Sequence, residues 1–368
     1  MMFMPTTHSG KRFNREYVEK RARWEPVYEV TQIKGDGETH PMLSPSDEFA
    51  GVGIGIWDRG NLDMSQKKTD DMLQYEYARQ ALRNGLALEA KLGTNPYKFG
   101  MVGSTDSHTS LVAVEEENFF GKHTGKEPSD HRWSTPVLST PSGNVMGWEQ
   151  VSSGLAAVWA TENTREAIWD AYNRKEVYGT TGPRMLVRFW AGWNFVATDA
   201  ANRLPAAVGY SKGVPMGGDL NTAPNGKSPT FLVAALKDPL SGNLDRIQVV
   251  KGWLDSRGES HEQVYDVVWG DADRRQPGAD GRLPPVGNTV DVENATWTNT
   301  IGDPELISVW TDPDFDASQH AFYYARVIEI PTPRWTAYDA KRYGMKMSEE
   351  VPMFVLERAY TSPIWYTP

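Results

Sequence analysis

The sequence predicts an α/β unit over residues 1–183 followed by a β-rich, sandwich-like domain over residues 184–368. Three observations predict it. In the first half, short apolar or β-branched runs alternate with helical spacing, the order expected of βα units. After Thr180-Thr-Gly-Pro-Arg184 the texture changes to alternating strands separated by Gly, Pro, Asp and Asn turns, which favours antiparallel pairing. At 368 residues the chain is also long enough for two domains of ordinary size, each with its own core.

The elements follow in order. Pro26–Ile33 is β-branched and alternating and reads as a strand entering a polar, turn-rich stretch, Lys34–Asp47. From Thr69 or Asp70 as N-cap, Leu73, Tyr77, Leu82, Leu86 and Leu88 fall at mostly helical spacing as far as Leu92. Gly93 follows the end of that helix and Gly85 interrupts it weakly. Lys98-Phe-Gly-Met-Val then reads as a short buried strand that delivers the chain to Gly103-Ser-Thr-Asp-Ser-His. Residues 121–150, rich in Pro, Ser, Gly and charge, read as a surface loop covering that motif. A helix over Thr164–Val177 follows. Strands are expected at Met185–Phe189, Thr230–Leu236, Arg246–Val250, Val264–Trp269 and Ala321–Ile330. No internal repeat or low-complexity tract interrupts this order.

Composition narrows the function. With 38 basic against 48 acidic residues the net charge is −10, which argues against nonspecific nucleic-acid binding because no excess of cations faces the phosphates. No apolar run approaches the roughly 20 residues that cross a bilayer, so a soluble chain outside the membrane is expected. There are no cysteines, so any metal must be held by His, Asp, Glu and water. The opening Met-Met-Phe-Met-Pro-Thr-Thr-His lacks a basic leader and an apolar core, so it is not a secretory signal, and periplasm and cytoplasm both stay open. It resembles the inside of a strand.

Three strand-end histidines carry the chemistry. Asp106 and His108 stand at i and i+2, which share a face in extended backbone, so one cation can touch both. A carboxylate and an imidazole suit Zn²⁺, Mn²⁺ or Fe²⁺, which acidify bound water. The alternative for D-x-H alone is a polar turn in which Asp106 accepts backbone N–H bonds. Glu38 and His40 repeat the spacing beyond the first strand. Their alternatives are a solvated loop charge and a turn cap before Pro41. His8 ends the first apolar run. In a barrel-like α/β fold such strand ends converge at one mouth. Lys122, His123 and Arg184 offer cations to a small anionic substrate, or else belong to ordinary surface loops and pairs. No Gly-rich phosphate loop or nucleophile elbow appears.

The order Pro5-Thr-Thr-His8, Gln32-Ile-Lys-Gly-Asp-Gly-Glu-Thr-His40-Pro, Gly103-Ser-Thr-Asp106-Ser-His108, Glu117-Asn-Phe-Phe-Gly-Lys-His123 and Thr180-Thr-Gly-Pro-Arg184 resembles a bacterial family of unknown function whose members look like PHP (polymerase and histidinol phosphatase) enzymes. The likeness continues through Leu236-Lys-Asp-Pro, Asn243-Leu-Asp-Arg-Ile-Gln-Val-Val-Lys-Gly-Trp253 and Pro284-Pro-Val-Gly-Asn-Thr-Val290. The resemblance implies a PHP-type (β/α) barrel in residues 1–183 and divalent-metal hydrolysis of a phosphoester by metal-bound hydroxide. His8, Asp106 and His108 would be ligands, Glu38 or His40 a further ligand or acid/base, and Lys122, His123 and Arg184 would steer the anion. PHP sites also use an H-x-H motif and an Asp-His pair that this chain lacks before His8. The chain therefore reads as a C-terminal portion, its barrel completed by a missing N-terminal segment or a second chain. The competing expectation is noncatalytic: a truncated relative, or half of a split enzyme, whose β-rich part binds a partner or a glycan through its aromatics.

Overall fold

In the computed structural model, residues 2–368 are described except 54, 62–64, 112, 124, 126, 141, 142 and 153. The strand Val27–Gln32 forms where predicted and runs parallel to Gly100–Gly103, with Val27 opposite Gly100 and Tyr28 opposite Met101. Between them come a 3₁₀ turn, Asp70–Tyr75, and the helix Ala78–Leu92. Gly93 ends this helix at φ 80°, the left-handed cap that only glycine adopts without strain. Ala78, Ala81, Leu82 and Leu86 form its buried face and pack on Val250, Leu254, Phe322 and Tyr324. Gly85 is less an interruption than a fit, because a Cβ there would lie 2.2 Å from the Asn95 side chain.

The strand Ala321–Glu329 lies at the heart of an eight-stranded central sheet and pairs with Leu244–Leu254, Arg358–Thr361 and Ile364–Tyr366. Its side chains alternate between two cores. Tyr323, Ala325 and Val327 face a second sheet built from Glu305–Thr311, Thr230–Leu236, Leu186–Gly192 and Gly213–Pro215, and meet Val187, Phe189, Phe231 and Val233 there. Phe322 and Tyr324 face the other way, onto the helix Ala78–Leu92. The β-sandwich expected of the second half is thus one pair of layers, and the α/β part packs on the back of it.

The predicted PHP-type barrel does not form. After Gly100–Gly103 the next long-sheet strands, Leu155–Val158 and Val177–Thr180, pair antiparallel with each other and join the central sheet through Arg358–Thr361. The chain is mostly β-strand in several sheets. Among the described residues one βαβ unit is present, where a barrel needs a closed ring of them. The reason is local. A Cβ on Gly103 would meet the carbonyl oxygens of Leu155 and Thr180 at 2.8 Å, and one on Gly179 would meet Gly103 N at 2.8 Å. Glycines therefore seat the small parallel sheet directly against the central sheet, where a barrel would continue its ring. Residues on both sides of 183/184 share that central sheet.

The expected loop over 121–150 contains the 3₁₀ turn Arg132–Ser134 and the hairpin Pro136–Thr140/Gly143–Met146. Thr124, Lys126, Pro141 and Ser142 of that segment lie outside the described residues. Arg132 anchors it, with two nitrogens on the Asp339 carboxylate at 2.5 and 2.9 Å. No helix among the described residues is long and apolar enough to cross a membrane.

Candidate functional site

The C-terminal ends of the two parallel strands bring the predicted motif to a mouth of their own. Ser104 N donates to Thr31 O at 3.1 Å, carrying the sheet one residue past Gly103, and Ser104 Oγ donates to the Glu29 carboxylate. Asp106 then turns through φ 47°, a left-handed conformation that Asp tolerates better than most side chains. This turn is held from the side: His108 N donates to Lys122 O at 3.0 Å and Ser107 Oγ to Gly121 O at 2.8 Å.

Two ammonium groups converge on Asp106. Lys122 Nζ lies 2.7 Å from Oδ2, and Lys34 Nζ donates to the same oxygen while also reaching Gln32 Oε1 at 3.3 Å. On the other oxygen, His108 Nε2 stands 3.4 Å from Oδ1. The His108 and His123 rings meet edge to face with centroids 5.3 Å apart. Burial alone would raise the Asp106 carboxyl, but hydrogen bonds from Lys122 and Lys34 outweigh it and hold it below its ordinary value. Glu29 goes the other way: burial raises it, Asp106 adds to the rise, and the two lysines oppose it. Lys122 is lowered by burial against the pull of Asp106. The result is an ionised carboxylate, a more basic carboxyl, two cations and two imidazoles at one strand-end mouth.

Other predicted residues go elsewhere. Glu38 is buried beneath the central sheet: Arg79 Nη2 reaches its Oε1 at 2.5 Å, Arg326 Nη1 its Oε2 at 2.9 Å, and Tyr324 OH donates to Oε1. His40 accepts from Met42 N at 3.2 Å, the turn-capping arrangement, with its ring 5.5 Å from that of Tyr77. Arg184 is exposed and pairs with Glu115 at 3.2 Å. His8 sits in an exposed turn of the hairpin closed by Thr6 and Arg12, and no contact among the described residues joins it to Asp106. The structure therefore assembles Asp106, His108, Lys122 and His123, and adds Lys34, Glu29 and Ser104. Lys34 was within reach of sequence reasoning, since it follows the strand predicted over Pro26–Ile33. Glu29 was not, because a charged residue inside a strand reads as its solvent face.

A divalent cation fits one edge of this site. Ligand atoms on bonds of roughly 2.1 Å are separated by roughly 3.0–3.4 Å, the spacing of Asp106 Oδ1 and His108 Nε2. Only that edge is preformed. The one group of three carboxylate or imidazole donors lying within 4.8 Å of one another among the described residues is Asp255, Glu259 and His261, on a distant hairpin where Arg257 already pairs with the two acids.

Comparison with known proteins corrects the resemblance drawn from the sequence. The family model that matches is "Protein of unknown function (DUF3604)", over residues 1–368, and no PHP family is found. Neither a curated protein nor a solved structure matches. The motifs that suggested PHP enzymes all lie within the residues this family model matches, and no barrel surrounds them among the described residues. Over its whole length the chain belongs to the DUF3604 family of proteins of unknown function.

Proposed function

We propose that the chain is a divalent-metal-dependent hydrolase of small anionic esters, of the phosphoester class, working at the Asp106 mouth. The observation that supports this reading is the 3.4 Å separation of Asp106 Oδ1 and His108 Nε2 beside two lysine ammonium groups. Zn²⁺, Mn²⁺ or Fe²⁺ held there would supply an acidified water and charge neutralisation. The protein's own groups divide the remaining work. Lys122 and Lys34 occupy Oδ2, leave Oδ1 to the cation, and turn their remaining N–H donors to a substrate oxyanion. Glu29, raised by burial, takes up a proton more readily than Asp106 and accepts the Ser104 Oγ–H. His123 brings a second imidazole to the same mouth.

The test joins binding to turnover. Calorimetric titration with Mn²⁺ or Zn²⁺ should give saturable binding to the wild type, weakened about tenfold or more in Asp106→Asn and in His108→Ala. Hydrolysis of p-nitrophenyl phosphate or its diester should need the metal and stop on adding chelator. Equal metal uptake by wild type and both variants, or turnover indifferent to chelator, would end this reading.

A further inference from the structure

A cavity of about 250 Å³ opens away from the Asp106 mouth, beside the 3₁₀ turn Glu116–Asn118 and the residues Thr332–Pro333. Several acidic side chains line it, and no Lys or Arg does. Most of these acids are already engaged. Glu115 pairs with Arg184, Asp238 accepts the amides of Arg184 and Leu240, and Glu116 Oε2 accepts Trp335 N at 2.5 Å. Glu357 differs. It is 2% exposed, its Oε2 accepts from Thr181 Oγ1, and among the described residues no donor reaches its Oε1. A carboxylate set this deep in a cavity wall favours a cation that enters to meet it. Around it, Trp297 and Tyr338 present aromatic surface to the same cavity, with Leu240, Pro183 and Pro333 completing an apolar wall.

We propose that this cavity binds a small organic cation, an aliphatic amine or guanidine, its charge on Glu357 and its carbon skeleton against Trp297 and Tyr338. A desolvated carboxylate with aromatic faces beside it is the arrangement that recognises such cations. A bare divalent ion is disfavoured, because it requires several oxygen ligands and the Glu115, Asp238 and Glu116 carboxylates are already held by their own donors. The charged groups facing Glu357 are Glu116, Glu329, Arg358 and Arg334. Burial, then Glu116, pushes the Glu357 carboxyl well above its ordinary value. A cation on the ionised carboxylate competes with its proton, so affinity rises with pH.

Calorimetric titration of the full chain with putrescine tests this, with 1,4-butanediol as the uncharged isostere. Saturable binding of the diamine alone is expected, tightening as the pH is raised. Glu357→Gln should weaken it about tenfold or more, and Trp297→Leu, on the half-buried rim where folding is not at stake, about threefold. The proposal is overturned if the diol binds as well as the diamine, if neither binds, if Ca²⁺ or Mn²⁺ displaces the diamine, or if both variants bind like the wild type.

Discussion

Glu38 and Asp106 each stand two positions before a histidine, yet their surroundings divide them completely. Asp106 stays partly exposed at its strand end. Glu38 is closed under the central sheet, where Arg79 and Arg326 share it with Asp47. Burial would raise Glu38, but Arg326 and Arg79 hold it below its ordinary value, so it is a fixed counter-charge for two buried guanidinium groups. Glu329 shows the reverse balance. It is buried, Ser241 Oγ donates to its Oε2 at 2.5 Å, and its Oε1 has no partner, so burial raises the carboxyl from 4.5 to about 8. Between these values the folded chain keeps a proton that the unfolded chain releases, so stability falls as pH rises through the window. Glu329→Gln removes the titration and retains an acceptor for Ser241. The urea midpoint of the wild type should therefore drop from mildly acidic to mildly alkaline pH, and that of the variant should drop less, by on the order of a few kcal/mol in stability. Parallel pH profiles for the two proteins would show that Glu329 does not titrate in this window.

At the scale of elements, close approach governs more than propensity does. Gly103 and Gly179 let the small parallel sheet lie against the central sheet, so Gly103→Ala must push a Cβ into two backbone carbonyls that cannot swing aside. A loss of about 1–3 kcal/mol is expected, together with weaker metal binding, because Ser104 and Asp106 ride on this strand. Gly125→Ala, where nothing lies within 4 Å, is the control; equal urea midpoints for the two variants would refute the packing. The same contrast explains which elements were legible in the sequence. Thr230–Leu236 appears where its β-branched and apolar run places it, and Gly93 marks the end of its helix. Val177–Thr180 is buried at all four positions and shows no alternation. The spacing of Thr164–Val177 suggested helix throughout, but Lys175 turns to φ 62° and redirects the chain into that hidden strand. At the site, the carboxylate–imidazole pair was visible as spacing. Its partner Glu29 became evident only when two distant segments were laid parallel.

At the scale of the whole molecule, the change of texture near Arg184 marks a change of pattern within one sheet. Arg358–Thr361 pairs with Val177–Thr180 on one side and with Ala321–Glu329 on the other, so its neighbours come from both halves of the sequence. Phe322 and Tyr324 are covered by the helix Ala78–Leu92, and Arg326 takes its counter-charges from Glu38 and Asp47. Residues 184–368 produced alone would present an unpaired strand edge, an uncovered aromatic face and a buried guanidinium stripped of its carboxylates. That fragment should bind a hydrophobic dye and self-associate, while the full chain unfolds in a single transition seen alike by tryptophan fluorescence and far-ultraviolet circular dichroism. Light scattering decides the matter: a monodisperse fragment that unfolds cooperatively at the temperature of the full chain would mean that the two halves are independent, and that the buried Glu38–Arg326 contact contributes nothing to holding them together.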